Sequence, residues 1–555
     1  MAPAMAGFIV DGTDPQTWDD IVAAALAALG EEFTVTPEPA APARPGTAAD
    51  GLSQRATWYD TFDWRLSKAG VTLEYVPGRG GSELRLSSAK PDADADVTQP
   101  VAGWQPSRPH LIGDLEGGPV GARLASLVAM RALIPVAATV TATAAYRLLN
   151  SDGKTVARLL VDQPAVTGPQ PGPLPPRLAV AEVRGYQAQA RRAVRLLTAV
   201  TGLSAGARPL FADALRLTGR RPGDYSNKVD AEISADMPAA GAAATILLRL
   251  LDTIDANGGG VLADIDTEFL HDLRVSVRRT RSALKLFGDV LALTAEELEC
   301  YAAGFKWVGD LTTPTRDLDV HLLDFPGTVR SLAAARPDDL EPFRAYLEGR
   351  RRREFRVLTR GLRSPRYAAL TQEWRARLSK IQQERAGSAT GRRNRAGHRY
   401  QPPGGSARVL AAERTRAAFV KVAKRGAAIT PDSPAQDLHD LRKRGKELRY
   451  ALEFFAPLHE PGAYANVVGD LKRLQDCLGE FQDTEVQIEE IRSIAAAMLA
   501  AHEAPAVTLL AMGEVTAGLA ARQRAARADF ERRFTAFADV AGQRRMAALL
   551  RGGTA

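Results

Sequence analysis

One helical pattern occurs twice in this chain, and that duplication sets what the C-terminal part can fold into. The first copy is His271-Asp-Leu-Arg-Val-Ser-Val-Arg-Arg-Thr-Arg-Ser-Ala-Leu-Lys-Leu-Phe287. The second is His439-Asp-Leu-Arg-Lys-Arg-Gly-Lys-Glu-Leu-Arg-Tyr-Ala-Leu-Glu-Phe-Phe455. The opening tetrapeptide is identical, Arg278 answers Lys446, Arg281 answers Arg449, and Ala-Leu-x-x-Phe closes both. Further on, Lys306, Asp310, Asp317 and Val320 return in the same order as Lys472, Asp476, Asp483 and Val486. Two blocks in one order at nearly one offset imply a duplicated unit.

Each copy carries two stripes. Leu273, Val277, Thr280, Leu284 and Phe287 recur at three- and four-residue spacing, as do Leu441, Gly445, Leu448, Leu452 and Phe455. That spacing places each set on one face of a helix, which then packs into a bundle. The other stripe is His271, Arg274, Arg278, Arg281 and Lys285, matched by His439, Arg442, Lys446 and Arg449. A rise of 1.5 Å per residue spreads each set along about 20 Å. Like charges at i,i+4 cost a few tenths of a kcal/mol per pair, so a helix that repeats the arrangement is expected to have a compensating anion. A solvated basic face accounts for cations on the outside. It does not account for a basic order kept as well as the core stripe. Lys306, Lys472 and Arg473 are weaker members of the set. Glu447 and Glu453 stand opposite Arg279 and Lys285, so the second copy is less basic and an asymmetric groove is expected.

Charge distribution points the same way. Of the net +7, residues 1–230 contribute nothing, with 23 Lys+Arg against 23 Asp+Glu. Residues 341–425 hold 23 basic and 6 acidic residues. Such asymmetry suits a polyanionic partner. Two cysteines, Cys300 and Cys477, exclude a disulfide scaffold and fit a reducing cytoplasm. No secretory signal or membrane-spanning run is read in the chain, so no membrane insertion is expected.

At 555 residues the chain exceeds one hydrophobic core. Residues 16–30 read as a helix and 36–54 as a loop. The runs Thr72–Val76, Glu83–Ser87, Val136–Leu149 and Val156–Asp162 read as strands, with a hairpin turn at Asn150-Ser-Asp-Gly153. Residues 164–176 read as a loop and 186–202 as a helix. From about 235 helices dominate, interrupted by a flexible basic linker over 386–407.

The two His-Asp-Leu-Arg helices, Trp307-Val-Gly-Asp310 and Arg316-Asp-Leu-Asp-Val320 together resemble the CHAD (conserved histidine α-helical domain) family over residues 235–550. The resemblance implies an all-α pseudo-two-fold pair of four-helix bundles, with halves at 235–385 and 408–550. It also implies a basic groove binding inorganic polyphosphate through His271, Arg274, Arg278, Arg281, Lys285, His439, Arg442, Lys446 and Arg449, with Lys306, Lys472 and Arg473 at its margin. A cytoplasmic protein at polyphosphate granules follows. Polyphosphate offers no bases to stack on, and Arg and Lys suit its oxygens. The repeat helices carry few aromatics, which counts against single-stranded nucleic acid. Nucleic acid held through phosphates alone stays open as an alternative partner.

Tyr59-Asp-Thr-Phe-Asp63 with Leu66, Gly70 and Leu73, and Arg131-Ala-Leu-Ile-Pro-Val136, resemble the CYTH family of triphosphate tunnel enzymes over residues 1–222. That implies an antiparallel β-tunnel-like domain, and an α+β multidomain chain overall. The family hydrolyses triphosphates with Mg²⁺ or Mn²⁺. Here its Glu-x-Glu-x-Lys strand has no counterpart in residues 1–60. Leu73-Glu-Tyr-Val76 replaces Leu-Arg-x-Arg, and Ala137–Ala145 replaces tunnel arginines. A tunnel needs cations for the anion and carboxylates for the metal. A degenerate, inactive tunnel is therefore expected, with no catalytic residues and no cofactor, and Glu182 as a lone acidic strand residue. A metal-dependent triphosphatase acting through the tunnel is the alternative. Metal binding by His271-Asp272 or His439-Asp440 is disfavoured, because adjacent helical side chains point about 100° apart. His110, His321, His398, His459 and His502 have no motif around them and read as surface or capping residues.

Overall fold

The computed structural model describes residues 4–12, 14–38, 53–78, 81–88, 96–115, 117–168, 170–206, 208–389 and 405–552. Parts of the expected loop at 36–54 and linker at 386–407, and His398, lie outside them. The chain divides into two compact units, Met1–Tyr225 and Ser226–Ala555.

The first unit is one antiparallel sheet with short helices. Its strands are β1 (Ala4–Val10), β2 (Thr34–Pro37), β3 (Gln54–Asp60), β4 (Val71–Val76), β5 (Ser82–Ser88), β6 (Val97–Val101), β7 (Ile134–Leu149), β8 (Thr155–Gly168), β9 (Gly172–Pro173), β10 (Arg177–Glu182) and β11 (Leu203–Ala205). Helices α1 (Pro15–Gly30), α2 (Arg65–Ala69), α3 (Pro119–Val128), α4 (Gln187–Thr198) and α5 (Leu210–Leu217) connect them. The main path runs β11-β1-β10-β8-β7-β3-β4-β5-β6, and among the described residues it stays open at both ends.

The longest hairpin, β7–β8, turns where expected. Asn150 Oδ1 accepts from the amides of Asp152 (3.1 Å) and Lys154 (2.9 Å), and Gly153 takes φ +73°. The loop expected at 164–176 is partly extended instead. β8 runs on to Gly168 and pairs with β9, because Val166 and Leu174 bury beside Trp58 and Trp64. Burial there overrides a proline-rich composition.

The Tyr-Asp-Thr-x-Asp stretch forms a local knot after β3. The Asp60 carboxylate is buried and accepts from the amides of Thr61 (2.7 Å), Leu66 (2.9 Å) and Ser67 (2.9 Å), and from Ser67 Oγ (2.7 Å). It thereby takes up the orphan donors at the start of α2. Burial pushes its pKa up, against those four bonds. Trp64, fully buried, takes φ +61°, and its indole donates to Asp224 at 2.6 Å.

The second unit is helical throughout. Its first half runs α6 (Ala239–Leu262), α7 (Thr267–Phe287), α8 (Ala295–Arg330), α9 (Glu341–Leu362) and α10 (Pro365–Ala389). The second runs α11 (Ala407–Ala427), α12 (Ala435–Phe454), α13 (Pro461–Ala500), α14 (Ala506–Ala538) and α15 (Val540–Gly552). α8 and α13, with 36 and 40 residues, are the long members. Their N-terminal parts belong to their own bundles. Their C-terminal parts meet in a shared core, where Leu318 and Phe325 pack with Phe343, Ile491, Met498 and Met512. No described helix is long and apolar enough to cross a membrane.

Replacing Asp60 by Ala strands three backbone amides, two of them in α2. We expect a loss of about 3 kcal/mol from the first unit in urea unfolding.

Candidate functional site

The apolar stripes decide where the basic stripes go. Leu273, Val277, Thr280, Leu284 and Phe287 of α7 are buried, and so are Leu441, Gly445, Leu448 and Leu452 of α12 with the adjoining Phe455. The two helices meet at their C-terminal ends. The Phe287 ring lies 5.6 Å from that of Phe454 and 6.0 Å from that of Phe455, both edge-on. Close by, Arg279 of α7 donates to Glu453 of α12 at 2.8 Å.

At the other end of α7 a cleft of about 370 Å³ opens. α7 supplies His271, Arg274 and Arg278, and α8 supplies Arg316, Asp317 and His321. α13 supplies Asp483, Gln487 and Glu490. Arg274 is held by the Gly309 carbonyl (3.3 Å) and the Thr313 hydroxyl, and its guanidinium lies 3.8 Å from Asp317. Arg278 is exposed and has no ion-pair partner among the described residues. Lys446 of α12 faces the same set. Burial first, then the charges of Arg442, Arg278 and Arg274, push its pKa down from 10.5 to about 8, with Asp483 opposing. Burial and the neighbouring Arg278, Arg316 and Arg281 lower that of Arg274, against Asp317. Burial raises that of Asp317, with Glu490 adding to the rise. Cations from two helices are thus crowded together with too little counter-charge to restore ordinary values.

The two repeat helices are not equivalent. On α12 His439 Nδ1 contacts Gln482 Oε1, Arg442 donates to Asp483 at 2.7 Å, and Arg449 donates to Glu453 (2.7 Å) and Gln475 (3.4 Å). On α7 Arg278, Arg281 and Lys285 carry no ion pair among the described residues. A paired exchange of residue size contributes. In the first half α7 has Val277 and α8 has Gly309, where a Cβ would come 3.1 Å from Arg281 Nη1. In the second half the small residue is Gly445 on α12 and the large one Gln475 on α13, and Gln475 ties Arg449 down.

Of the candidate residues, His271, Arg274 and Arg278 line the cleft and Lys446 and Arg442 are coupled to it. Lys306 is committed to Asp310 at 2.6 Å, Arg473 contacts Asp470, and Lys472 is exposed. Among the arginines and histidines of the cleft, two were not in the sequence-derived set. Arg316 stands within the Arg316–Val320 block, which was a readable signal. His321 reads from sequence as a surface or capping residue, yet its side chain is only 10% exposed and lies 2.6 Å from Glu490. Among the described residues no group of three or more His, Cys, Asp and Glu is arranged to hold a metal ion.

Residues 245–492 match the CHAD domain family. The matched residues lie within the helical unit, Ser226–Ala555. Three solved structures are similar at low TM-score. The CHAD domain of the plant Ricinus communis has 25% identity and TM-score 0.46, covering 59% of this chain and 96% of its own. PptA from Streptomyces chartreusis has 17% identity and TM-score 0.39, covering 54% and 99%. An adenylyl cyclase-like protein of Hippeastrum, described with a dominant triphosphatase activity, has 12% identity and TM-score 0.21, covering 40% and 98%. No curated protein matches the chain.

Lys446 gives the CHAD cleft a stability signature. A lysine whose folded pKa lies below its unfolded value is penalised in full below the folded value. The penalty fades as pH rises from about 8 towards 10.5. Lys446→Met is therefore expected to melt above wild type at pH 7, with a gain that shrinks over that window.

Proposed function

We propose that the CHAD domain binds inorganic polyphosphate in the cleft that α7 lines with α8 and α13, beside Lys446 of α12, and that the protein acts as a granule-associated polyphosphate binder in the cytoplasm. One observation carries the reading: Arg274 and Arg278 of α7 line one cleft, Lys446 of α12 faces them, and burial together with these neighbouring charges lowers the pKa of Arg274 and Lys446. Folding two helices so that their cations repel is costly unless an anion completes the site.

The ligand class follows from what the cleft offers. Its lining is charged and polar, with Val275, Val320 and Val486 as its apolar members and without Phe, Tyr or Trp. A polymer carrying about one negative charge per phosphorus and no bases suits that lining better than a single strand that stacks. Asp317 stands against Arg274 and Asp483 against Arg442 in the absence of ligand, and a phosphate chain displaces them. Gln475 and Glu453 keep Arg449 engaged internally, so α7 and Lys446 supply most of the contact.

Binding of long-chain polyphosphate by Arg278→Gln/Lys446→Gln is expected to weaken at least about tenfold, with the salt slope reduced by about two. Unchanged binding would refute the site, and equal competition by duplex DNA would refute the ligand. Arg281→Ala should weaken binding more than Arg449→Ala in the same titration.

The affinity should also depend on pH. A bound polyanion raises the pKa of Lys446 above its free value of about 8. Affinity is then full below pH 8 and falls as pH rises through it. Calorimetry in buffers of different ionisation enthalpy should record proton uptake on binding near pH 8.5, abolished in Lys446→Gln.

A further inference from the structure

The CHAD cleft leaves most of the basic stretch at 341–425 unexplained, and helix α9 holds a large part of it. Arg352, Arg353, Arg356 and Arg360 of α9 and Arg363 at its C-cap are all exposed. At 100° per residue they fall within an arc of about 100°, along about 17 Å of helix. The buried residues Phe343, Leu347, Leu358 and Leu362 lie on the opposite side. Glu354, the acid between them, points about 100° away from the edge of that arc. The neighbouring Arg351 faces inward and is tied to Asp319 (2.6 Å) and Asp264 (2.7 Å).

None of the five outward arginines has an ion-pair partner among the described residues. Elsewhere in the unit, among the described residues, unpaired arginines such as Arg278, Arg281 and Arg524 stand among paired ones. On α14, the corresponding helix of the second half, Arg522 pairs with Glu480, Arg527 donates to the carbonyls of Pro431 and Ser433, and Arg532 and Arg533 share Asp529. A solvated face would show the same mixture of paired and unpaired arginines on both helices. The first half instead presents an uninterrupted row of guanidinium groups at three- and four-residue spacing, a repulsive arrangement in the free protein. Guanidinium groups bridge pairs of phosphate oxygens, and a row of them matches an extended phosphate chain in sign and repeat.

We propose that the outer face of α9 is a second polyphosphate-contact surface, separate from the cleft and used by chains long enough to engage both. This rests on the polyphosphate reading of the cleft. Two weak contacts on one polymer act together, because the second forms at the effective concentration set by the first. The affinity for polyphosphate is then a function of chain length, set by whether a chain can leave the cleft and reach α9.

The test uses the full chain, with tripolyphosphate, long-chain polyphosphate and duplex DNA as probes. In Arg352→Gln/Arg356→Gln/Arg360→Gln, we expect long-chain affinity to fall at least about tenfold while tripolyphosphate binding stays unchanged. The triple Lys variant at the same positions should restore most of the loss and shows that charge, rather than folding, is read. An unchanged long-chain affinity would overturn the proposal and leave α9 as a solvated face. A loss confined to DNA would overturn it in favour of a nucleic-acid surface. Failure of Arg278→Gln/Lys446→Gln to weaken tripolyphosphate would instead count against the cleft, and is read independently of the α9 variants.

Discussion

The helical unit depends on an apolar seam strong enough to hold like charges together. Phe287 of α7 packs edge-on against Phe454 and Phe455 at the end of α12, and the stripes behind both helices are buried. That burial is worth roughly 1.5–3 kcal/mol for each large apolar side chain. It exceeds the few tenths that each repelling pair costs. With the seam in place, the angle and spacing of the two helices are no longer free to relax, and the cations on their other faces stay crowded. Burial first, and the neighbouring cations second, lower the pKa of Lys446 and of Arg274 there.

The counter-ions then decide which cations are available to a ligand. Glu453 takes both Arg279 and Arg449, one from each helix, and so stitches the seam rather than opening it. Asp483 takes Arg442 at 2.7 Å, whereas Asp317 stands 3.8 Å from Arg274. The two helices share one sequence pattern, and the residues around them differ. The exchange of Val277 and Gly309 for Gly445 and Gln475 moves bulk from one helix of the pair to its neighbour. The same move that preserves packing volume gives Arg449 an internal partner and leaves Arg281 without one.

Much of this was legible in the sequence, and the reasons are local. The repeat helices were readable because three- and four-residue spacing fixes which residues share a face. The glutamates opposite Arg279 and Lys285 announced the asymmetry. His321 was not readable, because its place is set by the meeting of α8 with α13, residues far apart in the chain. Nor was the shared core at the ends of the long helices, since no short-range pattern tells a helix where its bundle stops. The strand through 165–168 was hidden by proline-rich composition, which describes backbone preference but not the pocket that Val166 and Leu174 fill.

The first unit separates the two kinds of information a signature carries. Asp60, Thr61 and Asp63 are what made Tyr59–Asp63 look like a tunnel-enzyme motif. In the fold Asp60 accepts three hydrogen bonds from α2 and one from the Thr61 amide, the Thr61 hydroxyl donates to Asp63, and Asp63 holds Arg65 at 2.9 Å. Each is occupied in making a turn. A motif built of such residues carries backbone geometry, and it persists as long as the turn does. Chemistry resides in side chains that the turn does not need, and those are free to change. The same division holds in the helical unit. There the apolar stripe builds the helix pair, and the unpaired cations of α7 and α9 take no part in its core.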